Sequence, residues 1–124
     1  MRVILAIEDS PAIALLLRRR LELAGYSVEM SPNGLDAIEL LEDGLQPDLV
    51  MADVMMPGID GLETLTRIRQ MRPGTPVVLV TGQDLHPLEQ EKADAVFPKP
   101  IDFEALLREI ARLCDRVDDA PSPA

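Results

Sequence analysis

Asp53 closes the apolar run Leu49-Val50-Met51-Ala52, and Glu8 and Asp9 close another, Val3-Ile4-Leu5-Ala6-Ile7. Thr81 follows a third run, Val77 to Val80, and Lys99 stands just beyond a fourth, Ala95 to Phe97. Three carboxylates brought within a few ångströms repel one another and call for a counter-ion. Their hard oxygens suit Mg²⁺, which takes one or two carboxylates and keeps several waters. If one of the acids also accepts a phosphoryl group, Mg²⁺ and a lysine ammonium offset the charge that builds there. A threonine hydroxyl can then donate to a further phosphoryl oxygen. Together these groups make a phosphoryl-accepting pocket; none does so alone.

The elements that must position them read as alternating strands and helices. Strands are expected over Arg2–Ile7, Tyr26–Met30, Leu49–Ala52, Val77–Val80 and Ala95–Phe97. Ser10-Pro11 supplies an N-cap and a first-turn proline for a helix with Ile13, Leu16, Leu17, Leu21 and Ala24 inward, Arg18, Arg19 and Arg20 outward, and Gly25 as its stop. A second helix spans Asn33–Asp43 with Leu35, Ile38 and Leu41 inward. A third opens at Asp60-Gly61 with Leu62, Leu65, Ile68 and Met71 inward. The last starts at Asp102 and buries Phe103, Leu106, Leu107, Ile110, Leu113, Cys114 and Val117, with a basic stripe of Arg108, Arg112 and Arg116 supported by Glu104. Strand–helix alternation implies right-handed crossovers and a parallel sheet covered on both faces. In such folds ligands sit at the carboxyl ends of the strands, where Glu8, Asp9, Asp53, Thr81 and Lys99 all fall.

A chain of 124 residues is one domain's worth, and its apolar fraction of 47% is ordinary for a globular fold. With no Trp, one Tyr and two Phe, the core must be aliphatic. A formal charge of −10 argues against direct nucleic-acid binding, which demands a basic face. Cys114 is the only cysteine, which excludes an intrachain disulfide. The start, Met1-Arg2 and five apolar residues before two acids, is too short and acidic for a signal peptide, and no run reaches a membrane span. The chain reads as soluble and cytoplasmic. Residues 118–124, polar and proline-rich, read as a tail or the stub of a linker after a single domain over 1–117.

The pattern resembles the receiver domain of bacterial two-component response regulators, over nearly the whole chain. Ile7-Glu8-Asp9 is similar to that family's acidic pair, and Asp53-Val54-Met55-Met56-Pro57-Gly58-Ile59-Asp60-Gly61 to its phosphoacceptor loop. Thr81-Gly82 resembles the switch hydroxyl with its small neighbour, and Lys99-Pro100 the lysine followed by a cis peptide bond. The resemblance implies a flavodoxin-like α/β fold, a doubly wound five-stranded parallel sheet of order 2-1-3-4-5 with five helices. It implies that Asp53 takes a phosphoryl group from the phosphohistidine of a sensor histidine kinase or a phosphotransfer protein. Glu8, Asp9, Asp53 and the backbone carbonyl of Met55 would hold Mg²⁺, while Lys99 and Thr81 contact the phosphoryl group. The chain would be a switch rather than a turnover enzyme, a monomer or weak dimer, with an output partner the residues do not identify.

Departures from the family pattern are local. The switch aromatic expected three residues before the lysine is replaced by Val96, and Phe97 should point to the opposite face of its strand. Thr81 and Lys99 are 18 positions apart (99 − 81), about four fewer than is common in the family, or roughly one helical turn. The fourth helix, around Leu88–Ala93, is therefore expected to be short. By the same resemblance Met55 and Gln83 flank the approach of a hydrolytic water and tune dephosphorylation, here toward slow loss. Two other readings stay open. A Mg²⁺-dependent phosphatase or topoisomerase-like enzyme would want a second Asp where Met55 stands, and a pseudo-receiver would fold alike without being phosphorylated.

Overall fold

The computed structural model of the chain describes residues 1–53, 61–82 and 93–119. Its elements run β1 (Val3–Ile7), α1 (Pro11–Leu23), β2 (Ser27–Ser31), α2 (Gly34–Glu42), β3 (Leu49–Asp53), α3 (Gly61–Met71), β4 (Val77–Thr81), β5 (Ala95–Pro98) and α4 (Phe103–Asp119). All strand pairs are parallel, in the order β2-β1-β3-β4-β5. The short fourth helix expected around Leu88–Ala93 falls, but for Ala93, in 83–92, outside the described residues.

The period of two along each strand divides the core into two layers. Ile4, Ala6, Leu49, Met51, Val78 and Val80 pack on the side of α1 and α4. Leu5, Ile7, Val50, Ala52, Val77 and Leu79 pack on the side of α2 and α3. Both faces are covered, so β3 and β4 are buried at every position and their sequences run apolar without alternation.

Helix ends follow the local chemistry of the sequence. The Ser10 side chain accepts from Ile13 N with Pro11 in the first turn, and Asn33 Oδ1 accepts from Asp36 N at 2.8 Å. Gly25 and Gly44 follow α1 and α2 at φ 98° and 110°, where a side chain would be strained. α2 has no basic residue in its last turn. Arg72 reaches across instead, its Nη2 donating to Leu41 O at 2.8 Å and to Leu45 O at 3.3 Å.

The lower end of the sheet is pinned twice by the same device. Asp48, one residue before β3, accepts Val3 N at 2.7 Å, and Asp94, one residue before β5, accepts Val77 N at 2.7 Å. Each aspartate thereby holds the first residue of the neighbouring strand and fixes register. Arg69 Nη2 lies 2.8 Å from the same Asp94 oxygen, tying α3 to this joint.

Several expected inward positions are corrected. Leu16 is 48% exposed and Leu35 50% exposed. α1 presents Ile13, Leu17 and Leu21 to the core, and α2 presents Ala37, Ile38 and Leu41. Leu16 and Leu35 stand off those stripes by about 100° for each residue of displacement. Ala24 is exposed as well. Arg20 does not simply face outward, because its guanidinium stacks over the Phe103 ring at 4.7 Å. Arg112 pairs with Glu109. α4 continues through Asp119, two residues into the expected tail. The first helix breaker is Pro121, which disfavours helix only from the residue before it.

Candidate functional site

β1 pairs with β3 so that Ile7 is level with Ala52, which brings the next residues, Glu8 and Asp53, to the same edge. Strand alternation turns both toward the α1/α4 layer, and both are buried, at 4% and 5% exposure. Glu8 N donates to Ser31 O at 2.9 Å, which anchors the turn beyond β1 to the end of β2. Asp9 is exposed, and its N–H donates to Glu8 Oε2 at 3.2 Å. Ligand oxygens of Glu8, Asp9 and Asp53 lie within 4.8 Å of one another.

Lys99 enters this cluster from beyond β5. Its Nζ lies 2.5 Å from Asp53 Oδ2 and 3.4 Å from Glu8 Oε1. The peptide bond from Lys99 to Pro100 is cis, and Lys99 N donates to Thr81 O at 2.9 Å, so the lysine backbone is fastened to the end of β4. Burial acts to lower the Lys99 proton affinity, but the hydrogen bond and charge of Asp53, then those of Glu8, outweigh it and raise the ammonium above its ordinary value. Burial, then the hydrogen bond and charge of Asp53, push the Glu8 carboxyl up from 4.5 to about 7, with Lys99 opposing. The acids are thus short of positive charge: one ammonium faces three carboxylates among the described residues. A hard divalent cation fits that donor set.

Thr81 ends β4, is 3% exposed, and lies next to Asp53 in the sheet, since Asp53 pairs with Val80. Alternation sends its side chain toward the α2/α3 layer. Val96, level with Leu79, packs on that same layer, and Phe97, level with Val80, packs on the other, as the sequence requires. The side chain at the switch-aromatic position is therefore on Thr81's side of the sheet but is an aliphatic one. Met55 and Gln83 lie outside the described residues.

Sequence reasoning missed one contributor. Ser31, at the end of β2, is 2% exposed; its hydroxyl donates to Asn33 O at 2.8 Å and its carbonyl accepts Glu8 N. A hydroxyl residue at the carboxyl end of a strand was the available signal.

The sequence profile of the response regulator receiver domain matches residues 4–111. The chain belongs to that family. This receiver is 37% identical to the response regulator MprA of a Mycobacterium species (strain KMS), over 98% of this chain and 55% of that protein. It is 36% identical to RpaA of Synechocystis, described as a DNA-binding dual master transcriptional regulator, over 98% of this chain and 52% of RpaA. The receiver spans about half the length of these curated relatives. Among solved structures it is similar to TrrA of Thermotoga maritima, crystallised with Mg²⁺-BeF, at 32% identity and TM-score 0.84, covering 91% of this chain and 99% of that one. It is also similar to the receiver domain of a signal transduction histidine kinase from Syntrophus aciditrophicus, at 30% identity and TM-score 0.86, covering 100% and 98%.

Proposed function

We propose that residues 1–117 form a phosphorylation-dependent signalling switch whose acceptor is Asp53. The observation that carries this reading is the buried Asp53 carboxylate held 2.5 Å from the Lys99 ammonium beside two further acids. The donor is the phosphohistidine of a sensor histidine kinase or of a phosphotransfer protein. An Asp53 oxygen bonds to phosphorus as the P–N bond breaks, and the imidazole nitrogen leaves with the electron pair. Glu8, Asp9, Asp53 and the Met55 carbonyl are the groups that would hold Mg²⁺, as TrrA's bound Mg²⁺-BeF supports by similarity. When bound, Mg²⁺ neutralises charge gathering on the acceptor and phosphoryl oxygens. Lys99 moves from Asp53 to a phosphoryl oxygen, and the Thr81 hydroxyl donates to another. With Val96 in place of an aromatic, the Thr81 movement displaces little volume, so the changed partner-binding surface lies nearer the site itself.

RpaA's name attributes DNA binding to that protein; the −10 charge of this chain supports a reading in which this domain makes no such contact. No helix among the described residues is long and apolar enough to cross a membrane. The switch is cytoplasmic in this reading, where its kinase donors act.

Incubation with acetyl phosphate and Mg²⁺ should add the mass of one phosphoryl group, and chelation of Mg²⁺ should prevent it. A ligand bound only by the native state at 100 times its dissociation constant adds about 2.7 kcal/mol. Mg²⁺ should accordingly raise the melting temperature, and Asp9→Ala should abolish the rise. No added mass would leave a pseudo-receiver, and a label retained by Asp53→Asn would move the acceptor elsewhere.

A further inference from the structure

Charge is segregated along the chain. Arg18, Arg19 and Arg20 stand together in α1, and no Lys, Arg or His falls between Arg20 and Arg67, a stretch that contains all the acids of α2. Apart from Met1, the large hydrophobic side chains left exposed among the described residues are Leu15, Leu16, Leu23 and Leu35, all on α1 or α2. These two helices lie on opposite faces of the sheet, on either side of the edge strand β2.

On α1, Leu15, Arg19 and Leu23 follow at four-residue steps and form one outward ridge, with Leu15 54% and Leu23 85% exposed. Arg18 is matched by Glu22 at 3.1 Å, and Arg20 lies over Phe103. Arg19 has no ion-pair partner among the described residues. On α2, Asp36, Glu39, Leu40 and Asp43 share one face, and with Met30 and Pro32 they line an open groove of about 340 Å³. Glu39 and Asp43 are exposed there and have no cationic partner among the described residues.

We propose that the α1 ridge of one copy of this chain docks in the β2/α2 groove of a second copy, a head-to-tail contact between unlike patches. The lengths agree: Leu15 to Leu23 spans about 12 Å along a helix and Asp36 to Asp43 about 10 Å. In this contact Leu15 and Leu23 meet Met30, Pro32 and Leu40, while the Arg19 guanidinium reaches the carboxylates between them. Buried leucine surface supplies affinity, and the charges fix orientation and register. The occupant is a second copy because the chain carries both halves, a basic apolar ridge and an acidic apolar groove. A contact of like patches is disfavoured: α1 on α1 sets Arg19 beside Arg19, and α2 on α2 sets acid beside acid. Unlike patches make the interface heterologous, so copies add in a row unless the rotation closes a ring. None of Glu8, Asp9, Asp53, Thr81 or Lys99 takes part, so the contact stands or falls independently of the acceptor reading.

Sedimentation velocity of the full chain, from micromolar to millimolar concentration at low and high salt, tests it. The sedimentation coefficient should rise with concentration at low salt and rise less at high salt. Arg19→Glu and Glu39→Arg, both at exposed positions, should each weaken association about tenfold or more. An equimolar mixture of the two variants should recover it, because the intact ridge of Glu39→Arg meets the intact groove of Arg19→Glu. A chain that stays monomeric throughout, or association that neither substitution weakens, overturns the proposal. Loss in both variants without recovery in the mixture overturns it as well, since a contact between like patches behaves that way. Association lost in Glu39→Arg but kept in Arg19→Glu gives the groove another occupant and overturns the α1 contact.

Discussion

Lys99 Nζ stands 2.5 Å from Asp53 Oδ2, so the proposed acceptor carboxylate is paired with the cation that would later serve the phosphoryl group. The ammonium occupies charge that a divalent cation would otherwise meet. Lys99→Met should therefore strengthen Mg²⁺ binding by about tenfold, ~1.4 kcal/mol, because a competing and repelling cation is gone. The same change should slow phosphorylation by about 100-fold through loss of a preorganised charge at the reacting group. Titration calorimetry and intact-mass kinetics read the two effects. Weakened Mg²⁺ binding would show that Lys99 organises the acids rather than competing for them.

Glu8 gives the metal-free protein a pH dependence. Its carboxyl is raised from 4.5 to about 7, so the folded chain keeps a proton that the unfolded chain has released. The stability this contributes is full below about pH 4.5, declines as pH rises, and is lost above about pH 7. In divalent-free buffer, urea midpoints should fall between about pH 5 and pH 8, more steeply in wild type than in Glu8→Gln. Parallel profiles for the two proteins would remove Glu8 as the cause.

Asp94 should matter for stability although it lies far from the acids in sequence and at the other end of the sheet. Asp94→Ala removes the acceptor for Val77 N, a residue fully buried in β4, together with the partner of Arg69. A loss of about 2 kcal/mol is expected from the buried donor left without this acceptor. Asp94→Asn, which keeps an acceptor oxygen, should recover part of it. Urea unfolding with an unchanged slope checks both, and equal midpoints for wild type and Asp94→Ala would contradict the clasp.

What the sequence revealed and what it hid divide along physical lines. Strand order came with the family resemblance, whereas the gathering of Glu8, Asp9, Asp53, Thr81 and Lys99 was legible because each follows an apolar run, and parallel crossovers bring such ends to one edge. The caps at Ser10 and Asn33 and the stops at Gly25 and Gly44 follow local chemistry that a short window contains. Leu16 and Leu35 were misplaced because helical spacing locates an apolar stripe to within about 100° and cannot say how much of it the sheet covers. The Asp48 and Asp94 clasps were hidden because they join residues 45 and 17 positions apart through side-chain-to-backbone bonds, which leave no period in the sequence. Arg20 over Phe103 and Arg72 across the end of α2 escaped for the same reason.

The central claim is that Asp53 alone takes the phosphoryl group, and trapping of the acyl phosphate tests it most directly. Borohydride reduces an aspartyl phosphate to homoserine, which marks the residue by mass. After reaction with acetyl phosphate and Mg²⁺, peptide sequencing should find homoserine at position 53 and nowhere else, and none when either reagent is omitted. Homoserine at Glu8's neighbour Asp9, at any other aspartate, or at no position would contradict the account.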